Sequence, residues 1–245
     1  MTQKKKVLEV AETVVQRRST LVDYVWEKWE KKVSIWTIGR LLQSAGYRWK
    51  RMRKSCQFRR DEGLFRFFEK EIQLLKQLED KGEIELFFYD EAGFNLTPVV
   101  PYGWQKIGTT QAIPSTQGGN SSVMGLISRK GGFRYELRNK APKAQDIIDF
   151  IDQMEVKKKT IIVMDQAPTH TAKLFKERIK SWKEKNLYVQ FLPAYSPELN
   201  LIEILWRKIK YQWIPREAYR SNKQLVMNLK LILEQIGQNY PIHFA

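Results

Sequence analysis

The sequence predicts an α/β fold in which helices flank a mixed sheet and a small helical segment comes first. From residue 81 onward, short apolar runs typical of strands alternate with amphipathic stretches typical of helices. Three further helical stretches precede this region. The chain has 245 residues, of which 42% are hydrophobic, enough for one large domain and a small appendage.

The charge of the chain points to a polyanionic partner. Forty-three Lys and Arg stand against 27 Asp and Glu, which leaves a net charge of +16. This is more than solubility requires, so nucleic acid is the first partner to consider, with a merely basic protein as the alternative. The single cysteine, Cys56, excludes an intramolecular disulfide and a cysteine-based zinc site. Because no signal peptide or membrane-spanning run is present, we expect a cytoplasmic, nucleoid-associated protein without a membrane partner.

Two short amphipathic helices are predicted near the start of the chain. Apolar residues recur at helical spacing in residues 19–32 and again in residues 34–46. Ser34 suits an N-cap and Gly46 a C-terminal stop, which is compatible with a helix-turn-helix. The residues expected to face outward from the second helix are Thr37, Gly39, Arg40 and Gln43.

A basic strip follows these helices. Residues 47–60 contain seven basic side chains and no acidic one, and the aromatic residues Tyr47 and Trp49 are interleaved with these charges. Beside a helix-turn-helix, such a strip would contact phosphates and position a helix in the major groove of DNA. The alternative is a helical hairpin with a solvated charged tail. The DNA-binding candidates are Arg40, Arg48, Lys50, Arg51, Arg53 and Lys54.

The remaining pattern predicts a connecting helix and then a larger domain. Residues 62–79 carry an apolar stripe that indicates the connecting helix. Strands are predicted at 84–90, 122–128, 133–138, 160–165 and 187–192, and helices at 141–154, 171–185 and 196–213. Residues 95–120 form a long insertion rich in Pro, Gly, Thr and Gln. The predicted domains are a partial DNA-binding region at 1–60, a connecting helix at 61–80 and a catalytic domain at 81–245.

Three carboxylates lie where a site is expected. Asp90 ends the first strand and Asp165 a later one, and ligand sites of open sheets lie outside the carboxyl ends of strands. Glu203 lies at the edge of the buried stripe of the last helix, where a carboxylate needs a compensating cation. Oxygen ligands favour Mg²⁺ or Mn²⁺, and two such ions can catalyse phosphoryl displacement. Taken singly, Asp90 is better explained as the cap of a turn, Asp165 as the cap of the following helix and Glu203 as a partner in a surface ion pair.

In three segments the chain resembles the DDE transposases of the mariner-like superfamily, in their bacterial insertion-sequence branch. The segments are YDEAGF, VMDQAPTH and LPAYSPELNLIEILW, in the order found in that family. The resemblance covers residues 81–213, and TIGRLLQSAGYRWKRMRKS is similar to the winged-helix end of the family's DNA-binding region. It implies a ribonuclease H-like fold.

The resemblance also implies the roles of particular residues. The catalytic, metal-ligating carboxylates of the family fall on Asp90, Asp165 and Glu203. Glu91, the alternative to Asp90, is expected to point away from the other carboxylates because successive strand residues alternate faces. His170 would orient a carboxylate, contact phosphate or simply start a helix, and Asn200 is a further accessory candidate.

The family's activity supplies the expected cofactors and partners. These are two Mg²⁺ ions per site, replaceable by Mn²⁺, and double-stranded DNA as both terminal inverted repeats and target. A homodimer on paired ends is expected. Leu201 stands where the family usually has proline, and the interval from Asp165 to Glu203, 203 − 165 = 38 positions, is slightly long.

The expected function is metal-dependent DNA cleavage and strand transfer at transposon ends. Family members typically begin with two helix-turn-helix modules, and this chain has room for one. The main alternative is therefore an N-terminally shortened, catalytically inactive DNA-binding remnant. An ordinary ribonuclease H-like nuclease would explain the carboxylates but not the helix-turn-helix.

Overall fold

The computed structural model describes residues 2–13, 18–49, 56–99, 107–108, 112–242 and 244. They form two compact units, Met1–Ser55 and Cys56–Ala245. The connecting helix predicted at 61–80 thus belongs by its contacts to the larger unit. No helix in the described part of the chain is both long and apolar enough to cross a membrane.

The described residues of the smaller unit form three helices packed on one another. They are α1 (Gln3–Thr13), α2 (Arg18–Trp29) and α3 (Ile35–Ser44), with a core formed by Val7, Ala11, Leu21, Val25 and Ile38. The sequence predicted α2 and α3 but not α1, whose few apolar residues give a weak periodic signal.

The predicted ends of α3 are confirmed. The Ser34 side chain accepts a hydrogen bond from the Thr37 amide at 3.1 Å, and Gly46 has a φ of +85°. One prediction for the face of α3 is wrong, because Gly39 is buried against Arg18 of α2. Its missing side chain lets the two helices approach. Thr37, Arg40 and Gln43 are exposed as predicted.

The larger unit contains a five-stranded mixed sheet in the order β3-β2-β1-β4-β5. β1 pairs in parallel with β4 and antiparallel with β2, and β4 pairs in parallel with β5. The strands are β1 (Glu85–Phe94), β2 (Ser121–Ser128), β3 (Phe133–Arg138), β4 (Thr160–Met164) and β5 (Leu187–Phe191). Four of the five lie close to their predicted positions, which confirms the mixed α/β class. β1 continues to Phe94, so Asp90, which was predicted to end this strand, lies inside it.

Helices cover both faces of this sheet. The first face packs against α4 (Glu62–Asp80), α7 (Ile202–Lys208) and α8 (Asn222–Glu234), and the second against α5 (Ala144–Asp152) and α6 (Lys173–Glu184). In β1, Phe88 contributes to the first core and Tyr89 to the second. The alternation of strand side chains therefore separates the two layers.

The helix predicted at residues 196–213 is interrupted. A 3₁₀ turn at Pro197–Leu199 precedes α7, and α7 continues as a π-helical turn at Ile209–Trp213. Asn200 adopts an extended conformation between the two helical pieces while its side chain donates to the Tyr89 carbonyl at 3.0 Å. Glu203 consequently lies in the first turn of α7, rather than in the second turn of one long helix.

Candidate active site

Asp90 and Asp165 lie side by side at the sheet. Phe88 of β1 pairs with Val163 of β4 in parallel register. Asp90 and Asp165 each lie two residues further along, so they reach the same level on neighbouring strands. This is the carboxyl end of the parallel pair, where the sequence predicted the site.

Glu203 completes the site from α7. Asp90, Asp165 and Glu203 line one pocket of about 300 Å³, together with Asn200 and the loop at residues 192–197. The predicted meeting of the three carboxylates in one pocket is therefore observed.

A glycine allows α7 to approach the sheet at this point. Gly125 of β2 lies opposite Asp90 in the antiparallel register. A Cβ at this position would lie 2.6 Å from the Trp206 ring and 2.9 Å from Ile202. The bare backbone at Gly125 thus brings the first turns of α7, and with them Glu203, against the strand that carries Asp90.

The pocket is short of positive charge. Burial and the neighbouring Glu203 and Glu91 carboxylates raise the pKa of Asp90 to about 8. Burial also raises the pKa of Glu203, partly opposed by Lys210 and Arg207. A bound cation would stabilise both carboxylates in their ionised form.

Lys210 is a cation near the pocket that the sequence analysis missed. Burial lowers the pKa of Lys210, while Glu203 and Asp90 act in the opposite direction. Its ammonium also lies 5.3 Å from the centre of the Phe94 ring. The signal in the sequence was its position seven residues after Glu203, which in a helix lies on nearly the same face.

Glu91 lies off the pocket but is joined to it through His170. The fully buried His170 ring contacts Asp165 through Nδ1 at 2.7 Å and Glu91 through Nε2 at 3.0 Å. Tyr89 also donates to Glu91 at 3.1 Å. Glu91 thus points away from the pocket, as strand alternation predicts, and His170 holds the second carboxylate of the site.

The two contacts of His170 determine its charge. Burial would lower the pKa of His170, but the hydrogen bonds with Asp165 and Glu91 outweigh it and raise the pKa to about 10. Burial would likewise raise the pKa of Asp165, but the bonds from His170 and from the Ala167 amide lower it overall. Asp165 is therefore held ionised by a protonated histidine. Both bonds fall on its Oδ1 atom.

Asn200 presents a buried acceptor at the same pocket. Only 4% of the residue is exposed, and its Oδ1 atom has no hydrogen-bond partner among the described residues. Its amide nitrogen binds the backbone of β1 next to Asp90. The free oxygen is thus fixed beside the carboxylates.

The donors at the pocket fit a hard divalent cation in type, since carboxylate and amide oxygens are its usual ligands. Within the described ranges, no group of three His, Cys, Asp or Glu side chains stands close enough to hold a metal ion.

The DNA-binding candidates fall partly on described residues. Arg40 and Arg48 are both exposed, and Arg40 lies on α3. The Arg48 side chain donates to the backbone carbonyls of Gln43 and Tyr47. The candidates outside the described residues are Lys50, Arg51, Arg53 and Lys54. Arg60, the last basic residue of the predicted strip, is half-buried and pairs with Glu62 at 2.7 Å and Glu198 at 3.4 Å. It holds the start of the larger unit against the loop that follows β5.

Several solved structures share this fold. The chain aligns with the Mos1 strand transfer complex at 17% identity and a TM-score of 0.60, covering 95% of this chain and 70% of that one. The Mos1 mariner paired end complex with Mn gives 16% identity, a TM-score of 0.62 and coverages of 95% and 71%. The mariner Mos1 paired end complex with Mg gives 14% identity and a TM-score of 0.57, covering 100% of this chain and 80% of that one. At these identities the similarity establishes the fold.

Family models identify both parts of the chain. A winged helix-turn-helix model matches residues 12–72. A search among curated proteins gave no match. The model of the DDE superfamily endonucleases matches residues 85–226, more than half of the chain and all three carboxylates of the pocket. The chain therefore belongs to the DDE superfamily of endonucleases.

Proposed function

We propose that this endonuclease is a DDE transposase that cleaves DNA at transposon ends and transfers the cut strand. The observation that carries the proposal is the pocket in which Asp90, Asp165 and Glu203 meet at the end of the parallel strand pair. The winged helix-turn-helix match at residues 12–72 supports a DNA substrate.

In this proposal the three carboxylates hold two Mg²⁺ ions, or Mn²⁺ in their place. Such ions, when bound, activate the attacking oxygen and stabilise the leaving oxygen of an in-line phosphoryl displacement. His170 and Glu91 keep Asp165 ionised and oriented. Asn200 adds a fixed neutral oxygen, and Lys210 adds positive charge near the phosphate.

The same proposal assigns the partners and the domains. Residues 1–60 bind the terminal inverted repeats, residues 61–80 connect, and residues 81–245 act on the repeats and on the target. Two copies of the chain assemble on paired ends, because both ends must be cut and joined together. The net charge of +16 supports the contact with two DNA segments.

A nicking assay tests the activity. Wild-type protein and the Asp165→Asn variant are incubated with Mg²⁺ or Mn²⁺ and a duplex that carries the inverted repeat flanking the gene. We expect the wild type to nick the duplex and the variant to lose at least a thousandfold in rate, since its shape is kept but a charge needed by the cations is gone. DNA binding by the variant should be unchanged or tighter.

Glu155→Gln is the matched control, because Glu155 is exposed and lies outside the pocket. It should nick like the wild type. A wild-type protein that binds the repeat but never nicks it, with or without an added N-terminal helix-turn-helix module, would contradict the proposal. The result would then favour the alternative function, that of a catalytically inactive DNA-binding remnant of a transposase.

A further inference from the structure

Three residues at the mouth of the pocket form an exposed aromatic and cationic cluster. Phe58 is 81% exposed and Tyr195, which lines the pocket, is 42% exposed. The Arg59 guanidinium lies 5.3 Å from the centre of the Phe58 ring, and a hydrogen bond with Tyr195 raises the pKa of Arg59. We call Phe58, Arg59 and Tyr195 the rim cluster.

The backbone of Tyr195 is strained. Its φ is +59°, in the left-handed region that bulky side chains rarely adopt. A tyrosine there costs free energy relative to glycine, and the two sites that flank it, Ala194 and Ser196, already line the pocket. Strain of this kind persists only where the surrounding structure fixes the backbone, and it is concentrated at active sites and ligand-binding sites.

The chemistry of the rim cluster matches an unpaired nucleotide. Aromatic rings stack on bases without regard to sequence, and arginine adds a cation for the neighbouring phosphate. A paired base inside a duplex cannot offer its face to a ring, so the ligand must be single-stranded or unstacked at this point.

From these observations we propose that the rim cluster is a stacking site for an unpaired nucleobase next to the scissile phosphate, with Tyr195 as the main platform. This rests on the proposed function, since it places the base beside the pocket where DNA is cut. The site would hold the strand end in line with Asp90, Asp165 and Glu203 after the duplex has opened.

Binding of a fluorescent probe tests the site without cleavage. The probe is a duplex with a three-nucleotide overhang containing 2-aminopurine, mixed with the full chain without divalent cations. We expect wild-type protein to quench the fluorescence by stacking. Tyr195→Gly should abolish most of the quenching and weaken overhang binding about tenfold, within the range for loss of one base–aromatic stack.

Further variants separate stacking from folding. Glycine and asparagine tolerate a positive φ, so Tyr195→Gly and Tyr195→Asn should keep the melting temperature of the wild type. Tyr195→Phe should retain the quenching, and Phe58→Ala should lose part of it. Tyr211→Ala is the control, because Tyr211 is similarly exposed but does not line the pocket.

The results can overturn the inference independently of the proposed function. Unchanged quenching in Tyr195→Gly and Tyr195→Asn, or equal weakening for a blunt duplex and for the overhang, would overturn it even if wild-type protein nicks DNA. Quenching lost in both variants would support it even if the wild type never nicks, and the proposed cleavage alone would then fail.

Discussion

At the scale of single residues, His170 has the largest effect on the site. The sequence left its role open between orienting a carboxylate, contacting phosphate and starting a helix. In the structure it is fully buried and lies between Asp165 and Glu91. Two acidic groups thus depend on one ring for their charge balance.

Replacing His170 should expose this dependence. His170→Leu should lower the free energy of unfolding by about 3–5 kcal/mol, because it leaves the Glu91 carboxylate without its cationic partner. Glu91→Gln in the same background should recover part of that loss. Urea unfolding of the wild type, both single variants and the double variant measures the coupling, expected at about 0.5–3 kcal/mol. If the changes in unfolding free energy of the two single variants simply add in the double variant, the contact between His170 and Glu91 is contradicted.

The sequence was informative about residues whose role follows from strand position. Asp165 could be placed because parallel strands end at the same edge of a sheet, and Glu91 because strand side chains alternate. Asp90 was expected at a strand end, but β1 continues past it to Phe94 along β2. The roles of Lys210 and of the free oxygen of Asn200 could not be predicted, because they depend on neighbours that come close only after folding.

At the scale of elements, the packing of α7 on β1 and β2 decides where Glu203 lies. Periodicity predicted one continuous helix, since apolar residues recur every three or four positions throughout residues 196–213. It could not show that Asn200 would leave the helical conformation to bind the Tyr89 carbonyl, a contact between residues far apart in sequence. Nor does periodicity mark Gly125 as the position that admits Trp206.

A methyl group at Gly125 should therefore disturb the site. Gly125→Ala places a Cβ within 3 Å of Trp206 and Ile202, and such overpacking costs about 1–3 kcal/mol. Gly93→Ala, in β1, is the matched control because a Cβ there meets no atom within 4 Å. Urea unfolding of both variants compares the costs. Equal free energies of unfolding for the two variants would show that α7 moves away freely to make room for the methyl group at residue 125.

At the scale of the whole molecule, the excess positive charge is not all available to a partner. Arg60 is paired with Glu62 and Glu198, Arg138 with Glu136 and Asp146, and these cations serve the fold. Exposed cations such as Arg40 of α3 remain for phosphate contacts. The net charge alone could not make this distinction, because it counts both kinds equally.

The salt dependence of DNA binding should separate the two kinds of cation. Arg40→Gln and Arg51→Gln should each reduce the slope of log affinity against log salt by about 0.9 on duplex DNA, the value for one lost phosphate contact. Arg60→Gln should leave the slope unchanged, since its charge is neutralised by Glu62 and Glu198. A fall in slope for Arg60→Gln alone would reverse the assignment.

The sheet order also sets when the protein becomes active during its own synthesis. β4 inserts beside β1 only after the intervening strands and α5 have been made, and Glu203 follows later still. The 203 − 90 = 113 positions between the first and last carboxylate take roughly 6 to 23 s at ribosomal rates. Until then the nascent chain carries no complete pocket. A growing polypeptide can therefore display its N-terminal helices long before it carries a complete active site.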